Sequence, residues 1–170
     1  KNLPTKKGIE KGVFSFDTAD KKIILYQGAL NIGRGIELMI ETMHFLENHL
    51  LVLIGSGDIN KTLKDKVSNE NLKDKVFFLG KINPEALHKL TPLADLGLSL
   101  EEDLGLNYRF ALPNKIFDYI QAEVPILISN LPEMSQIISA YKVGETVKNR
   151  TPEKLAKQIK EILEKNYTKE

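Results

Sequence analysis

Five short, unbroken apolar runs constrain this chain more than anything else in it. They fall at Lys21 to Gln27 (around Ile23, Ile24, Leu25 and Tyr26), Leu50 to Ile54, Val76 to Leu79, Leu96 to Leu100 and Val124 to Ser129, and a sixth strand reads at Val143 to Val147. A strand with one wet face alternates apolar and polar residues, whereas a continuous run is the pattern of a strand buried on both faces of a parallel sheet. Stripes at helical spacing lie between the runs. The first is Ile36, Met39, Ile40, Met43 and Leu46; a polar helix follows over roughly 60–67. Asn83 then caps a helix that opens on Pro84 and carries Leu87, Leu90 and Leu93. A short helix reads from Pro132 to Ile138, and a last one carries Leu155, Ile159, Ile162 and Leu163 behind Thr151 and Pro152. This alternation predicts an α/β, Rossmann-like doubly wound sheet of six parallel strands with helices on both faces.

Three of the runs stop at glycine: Gly28, Gly55 and Gly80. In open sheets ligands bind outside the carboxyl ends of the strands, and glycine there lets a ligand approach the backbone. The alternative is that each glycine merely turns the chain into a helix. The loop from Gly28 to Gly35 runs from strand to helix, where backbone N–H groups and the helix dipole favour an anion. It is not a P-loop, because Arg34-Gly35 stands where Lys followed by Ser or Thr is required, and its glycine spacing is not the dinucleotide fingerprint. Arg34 has the chemistry of a bidentate phosphate ligand.

A second helix start lies in the stretch Leu106 to Pro132. Pro113 suits the first helical position, Ile116, Phe117 and Ile120 share an apolar side, and Asn114, Asp118 and Gln121 share the other. If this start faces the same crevice as the Gly28 loop, Arg34 and Lys115 flank one pyrophosphate, and Asp118 accepts hydrogen bonds from vicinal ribose hydroxyls. A solvated helix with Asp118 stabilising its dipole accounts for the same pattern. Glu101, Glu102 and Asp103 read as a solvated acidic loop, and no Ser-His-Asp or paired-carboxylate spacing supports a general base there.

Composition removes several classes. A chain of 170 residues with 42% apolar content is one ordinary domain with an adequate core. A net charge of +1 argues against nucleic acid as the partner, and the absence of cysteine excludes disulfides, thiolate metal sites and thiol catalysis. His44, His49 and His88 are badly spaced for a metal and read as surface or structural. No run approaches the roughly 20 apolar residues of a membrane span. Residues 1–20 are polar and lysine-rich and read as an interdomain linker into a domain over 21–170; the opening Lys-Asn-Leu-Pro suggests part of a longer protein.

Taken together, YQGALNIGRGIELMIET, LLVLIGSGD, KVFFLGKINPEALHKL, ADLGLSL and ALPNKIFDYIQAEVPILISNLPEM resemble the C-terminal, donor-binding domain of a GT-B glycosyltransferase, most similar to glycosyltransferase family 4. The resemblance runs through nearly the whole chain. It implies one half of a GT-B fold, acting with a missing N-terminal acceptor-binding domain. The implied reaction moves a sugar from a nucleotide diphosphate sugar to an acceptor, generally with retention and without a metal or other cofactor in this domain. The setting implied is surface polysaccharide or glycolipid assembly in the cytoplasm, with any attachment to the inner face of the membrane made through the missing domain. Residue by residue, Gly28 and Ala29 would lie against the donor diphosphate, with Arg34 in place of the family's usual lysine. Backbone at Gly80, Lys81 and Ile82 would hold the base. Leu112, Pro113, Asn114 and Lys115 would lie along the sugar and phosphates, and Asp118 would take the ribose position usually held by glutamate. The catalytic work, neutralising the leaving diphosphate, would fall to Arg34 and Lys115.

Three residues depart from the family pattern. Ala29 replaces an arginine that often follows the first glycine. Phe110 stands eight positions before Asp118, where the first of two paired glutamates is usual, so that glutamate is missing or replaced by Asn107 or the acidic loop. Glu123 occupies a helix end commonly closed by glycine. Two rival readings keep the fold: a nucleotide-sugar epimerase, which would want a crevice rich in His and carboxylates, and a flavodoxin-like interaction module, for which Asp58 and Asp103 fit a receiver site poorly.

Overall fold

The computed structural model describes residues 12–110 and 112–165. Its centre is a parallel sheet of six strands: β1 (Lys22–Gln27), β2 (His49–Ile54), β3 (Val76–Gly80), β4 (Leu96–Ser99), β5 (Ile126–Ile128) and β6 (Gly144–Thr146). Their order across the sheet is β3-β2-β1-β4-β5-β6. The expected strands all form, with β5 and β6 shorter than the runs that announce them.

Around the sheet lie α1 (Ile36–Thr42), α2 (Asn60–Asn69), α3 (Pro84–Leu90), α4 (Leu106–Arg109), α5 (Asn114–Gln121), α6 (Pro132–Tyr141) and α7 (Pro152–Leu163). Two apolar cores separate the layers. One packs α1, α2 and α7 against one face of the sheet through Ile36, Met39, Leu63, Val67, Leu155 and Ile159. The other packs α3, α5 and α6 against the opposite face through Leu87, Ile116, Tyr119, Met134 and Ile137. The sheet is therefore doubly wound, as the Rossmann-like half of a GT-B fold requires.

Local details show which sequence signals the chain obeys. Asn83 caps α3 by accepting the N–H of Ala86 at 2.9 Å, and Pro84 takes the first helical position. The stripe from Ile36 to Leu46 is wholly core, but its helix ends at Thr42 and tightens into a 3-10 turn over Met43–Phe45. Pro113 is not the first residue of α5; it is the N-cap, extended at ψ 135°, and the helix opens on Asn114. The buried side of α5 is Ile116 and Tyr119, with Phe117 and Ile120 only partly covered at its edge. Glu123 adopts φ 59°, so the left-handed turn that glycine commonly supplies forms here with a glutamate.

Of the expected linker, residues 1–11 lie outside the described residues. From Gly12 onward the chain packs on the domain: the Gly12 N–H donates to Lys89 O at 2.7 Å, and Phe16 stacks on Phe77 with ring centroids 4.1 Å apart.

The feature that prepares a site is the break between β1 and β4. Strands to one side of it wind one way and strands to the other side wind back, so the connections leave a crevice at the carboxyl ends of β1 and β4. Pairing between these two strands covers only Ile24 with Leu96 and Leu25 with Gly97. Beyond that point Tyr119 closes the gap. Its hydroxyl accepts the Gln27 N–H at 3.2 Å and donates to Leu98 O at 3.0 Å, replacing ladder bonds that the parted strands cannot make. Burial pushes the Tyr119 phenol well above its ordinary pKa, so it stays a donor. Its ring lies flat against Gly97, where an added Cβ would stand 2.6 Å from ring carbons. Gly97→Ala is therefore expected to destabilise the fold by about 1–3 kcal/mol, the cost of overpacking a closed core. This would be seen as a lower urea midpoint at unchanged slope; a midpoint equal to the wild type's would refute the wedge.

Candidate functional site

A cleft of about 580 Å³ opens at the carboxyl ends of β1, β2 and β3, beside the start of α5. Its walls come from the end of β1 and the loop after it, from the ends of β2 and β3, and from the first turn of α5. Gly28, Ala29, Arg34, Lys81, Ile82, Pro113, Asn114, Lys115 and Asp118 all line it. Two of the residues expected at a site do not. Gly80 ends β3, and its carbonyl accepts the Gly55 N–H at 2.9 Å. Leu112 is exposed ahead of the helix. Of the three strand-end glycines, two have no room for a side chain: an added Cβ would come 2.9 Å from Lys115 Cε at Gly28 and would overlap the Gly28 carbonyl at Gly55, whereas at Gly80 it would meet nothing.

Arg34 and Lys115 face each other across one carboxylate, and that carboxylate is Glu101. Lys115 Nζ donates to Glu101 Oε1 at 2.7 Å, and Arg34 Nη1 lies 3.9 Å from the same oxygen. Ser99 Oγ donates to the other oxygen at 2.6 Å. Glu101 is only 2% exposed and Lys115 8%. The solvated acidic loop read from the sequence is thus corrected for its first member: Glu101 lies in the interior, while Asp103 is exposed. The physical reason is position, since Glu101 leaves β4 while the backbone is still inside the sheet layer and two cations wait there.

Lys115 also lies 4.7 Å from the centroid of the Tyr26 ring. Tyr26 donates its hydroxyl to Ala29 O at 2.7 Å, and burial first, then the Glu101 charge, pushes its pKa up. For Lys115 burial is the larger influence and pulls its pKa below the ordinary lysine value, with Glu101 opposing and Arg34 adding to the fall. Arg34 Nε is buried without a hydrogen-bond partner among the described residues. Two cations against one carboxylate leave a positive excess, and an unsatisfied donor adds to the demand for an anion.

Asp118 lies one helical turn beyond Lys115. Gln27 Nε2 donates to Asp118 Oδ2 at 3.2 Å, and Thr91 Oγ1 donates to Gln27 Oε1 at 2.7 Å, so a buried chain steadies the carboxylate from behind. Sequence reasoning missed Tyr26 and Gln27, and it weighed Glu101 only as one of three acids in a loop read as solvated. Tyr26 and Gln27 sit inside or at the end of a run that reads as core, and no periodicity separates Glu101 from its two acidic neighbours. Among the described residues no three His, Asp or Glu side chains cluster as metal ligands, and no helix is long and apolar enough to cross a membrane.

The model of the family described as glycosyl transferases group 1 matches residues 10–170. The chain belongs to that family. An uncharacterized glycosyltransferase of Methanocaldococcus jannaschii is 31% identical over 149 residues, 85% of this chain and 36% of that protein. HepE of Anabaena, solved in complex with UDP-glucose, superposes with a TM-score of 0.74 at 16% identity, over 89% of this chain and 42% of its own. WaaG, a glycosyltransferase involved in lipopolysaccharide biosynthesis, gives 0.67 at 19% identity, over 86% and 39%. The two structures show the shared fold. The chain thus spans less than half the length of each of these three proteins.

The Lys115–Glu101 pair has a stability consequence. Lys115→Met leaves a buried carboxylate without its nearest cation and is expected to cost about 3–5 kcal/mol. Adding Glu101→Gln to the same chain should recover part of that loss, because the uncompensated charge goes with it. Urea unfolding of the two variants measures the difference, and equal stabilities would refute the uncompensated charge as the source of the loss.

Proposed function

We propose that this chain is the donor-binding half of a glycosyltransferase that moves a sugar from a nucleotide diphosphate sugar to an acceptor held by a second domain. One observation carries the reading: Arg34 and Lys115, far apart in the chain, converge at the mouth of the cleft, with Asp118 a turn beyond Lys115. A nucleotide diphosphate sugar offers a doubly charged bridge next to a ribose diol, and this arrangement offers cations next to a carboxylate. Family membership supports the reaction class, and the UDP-glucose bound by HepE supports the donor type.

In this reading the diphosphate lies in the cleft, against Gly28 and the two cations that line it. Arg34 supplies Nη1 and the unpartnered Nε, and Lys115 turns its remaining N–H bonds outward while keeping Glu101. As the bond from sugar to phosphate breaks, negative charge grows on the leaving diphosphate. Groups already oriented toward it stabilise that charge without reorganising. Asp118 accepts from the ribose hydroxyls, the backbone of Lys81 and Ile82 lies along the base, and Pro113 and Asn114 lie along the sugar. The acceptor and any general base belong to the partner domain, so this chain alone binds donor and transfers nothing. Assembly of a surface polysaccharide or glycolipid in the cytoplasm is the setting we propose, in line with the involvement of WaaG in lipopolysaccharide biosynthesis.

Calorimetric titration with UDP, GDP and ADP tests the reading. At least one is expected to bind, and Arg34→Ala should weaken it by about 10–100-fold, the loss of charge-assisted hydrogen bonds worth about 1.5–3 kcal/mol. Asp118→Ala should weaken the nucleotide but leave inorganic pyrophosphate unaffected, since pyrophosphate has no ribose. Absence of binding to all three nucleotides would overturn the proposal.

A further inference from the structure

We propose that Glu101 is the positioning residue of this site, a buried carboxylate that holds Lys115 and Arg34 at the cleft before any anion arrives. The inference rests on the nucleotide-diphosphate reading and adds a residue that the reading does not require.

The geometry around Glu101 is over-determined. Its two oxygens take Lys115 Nζ at 2.7 Å and Ser99 Oγ at 2.6 Å, so the carboxylate cannot rotate without breaking a buried bond. Its backbone is pinned as well. Ser129 Oγ donates to Glu101 O at 2.6 Å, and Arg150 reaches the same corner through Ser129 Oγ at 3.2 Å and Leu100 O at 2.9 Å. The next residue's N–H, Glu102, donates to Gly33 O at 2.9 Å, which ties the end of β4 to the loop that carries Arg34. A buried ion pair is a poor stabilising device, because desolvation takes back most of what the attraction contributes. A pair supported this heavily, beside an anion-seeking cleft, fits a positioning role better than a stabilising one.

The charged and titratable groups facing Lys115 are Glu101 from the end of β4, Arg34 from the loop before α1 and Tyr26 from β1; Lys81 lines the same cleft. Tyr26 stays neutral, as burial raises its pKa. Burial and Arg34 both push Lys115 toward losing its proton, and Glu101 is what opposes them. With Glu101 present the ammonium persists and has hydrogens left for phosphate oxygens. With Glu101 neutralised, Lys115 should discharge at lower pH, and anion affinity should fall with it.

The test is the dissociation constant, by calorimetry over roughly pH 6 to 10, of whichever of UDP, GDP and ADP the wild-type chain binds. Glu101→Gln is expected to bind about tenfold more weakly near neutrality, and its alkaline loss of affinity should begin about one pH unit or more below the wild type's. Glu101→Gln with Lys115→Arg should lose that early fall, because a guanidinium keeps its charge. Should the glutamine variant not fold, Glu101→Asp carries the test, its shorter arm moving the alkaline limb in the same direction by less. A limb that coincides with the wild type's in whichever variant folds overturns the positioning role while leaving the donor-binding reading intact. A wild-type chain that binds none of the three nucleotides overturns both.

Discussion

Parallel strands wound in two directions from a common starting point must part somewhere, and in this molecule they part between β1 and β4. The hydroxyl of Tyr119 spans that opening, accepting from Gln27 on one strand and donating to Leu98 on the other. Because Gly97 carries no side chain, the ring can lie against β4, and this contact sets the rotation of α5 about its axis. The rotation in turn decides the rest of the helix. With Tyr119 and Ile116 turned to the core, Lys115 is carried inward to the end of the strands and Asp118 to the cleft wall. A helix turned by one residue would send Lys115 to solvent and leave Glu101 buried alone.

Charge at the cleft is arranged in depth. Deepest are Glu101 and Ser99, then the two cations, then the open cleft. Such an order makes a site that is electrically tolerable when empty and still positive toward an approaching anion. Gln27 and Thr91 do for Asp118 what Ser99 does for Glu101, holding one oxygen by a buried donor. Both supports come from the ends or flanks of strands, the most rigid places from which a loop residue can be steadied.

Much of this was legible in residue order, and the reasons are local. Asn83-Pro84 declares its cap because both effects act within one turn. The unbroken runs declare a doubly covered sheet because burial on both faces leaves no polar side. Even the meeting of Arg34 with Lys115 could be anticipated, since strand carboxyl ends in such sheets lie on one rim. Glu101 could not be. Three acidic residues in succession look alike in a string, and which of them is buried depends on where the strand stops and on cations supplied by other segments. Tyr119 and Tyr26 were hidden for the opposite reason: aromatic residues in apolar surroundings read as filling, and their hydroxyl partners lie across the sheet. Pro113 shows a smaller limit, as an N-cap and a first helical position differ by one residue and by a ψ angle that proline does not dictate.

What the sequence by itself determined is the set of elements and the class of sheet they build, because hydrophobic period, capping and glycine placement act over a few residues and need no partner. It also determined the chemical supply at the rim: arginine, lysine and aspartate at the starts of two helices, and no thiol at all. Only the tertiary structure decided which charges are neutralised and which are left for a ligand. Desolvation and Coulomb attraction depend on distances between segments far apart in the chain, so the burial of Glu101 beneath Lys115 exists only once β1, β4 and α5 have closed around Tyr119.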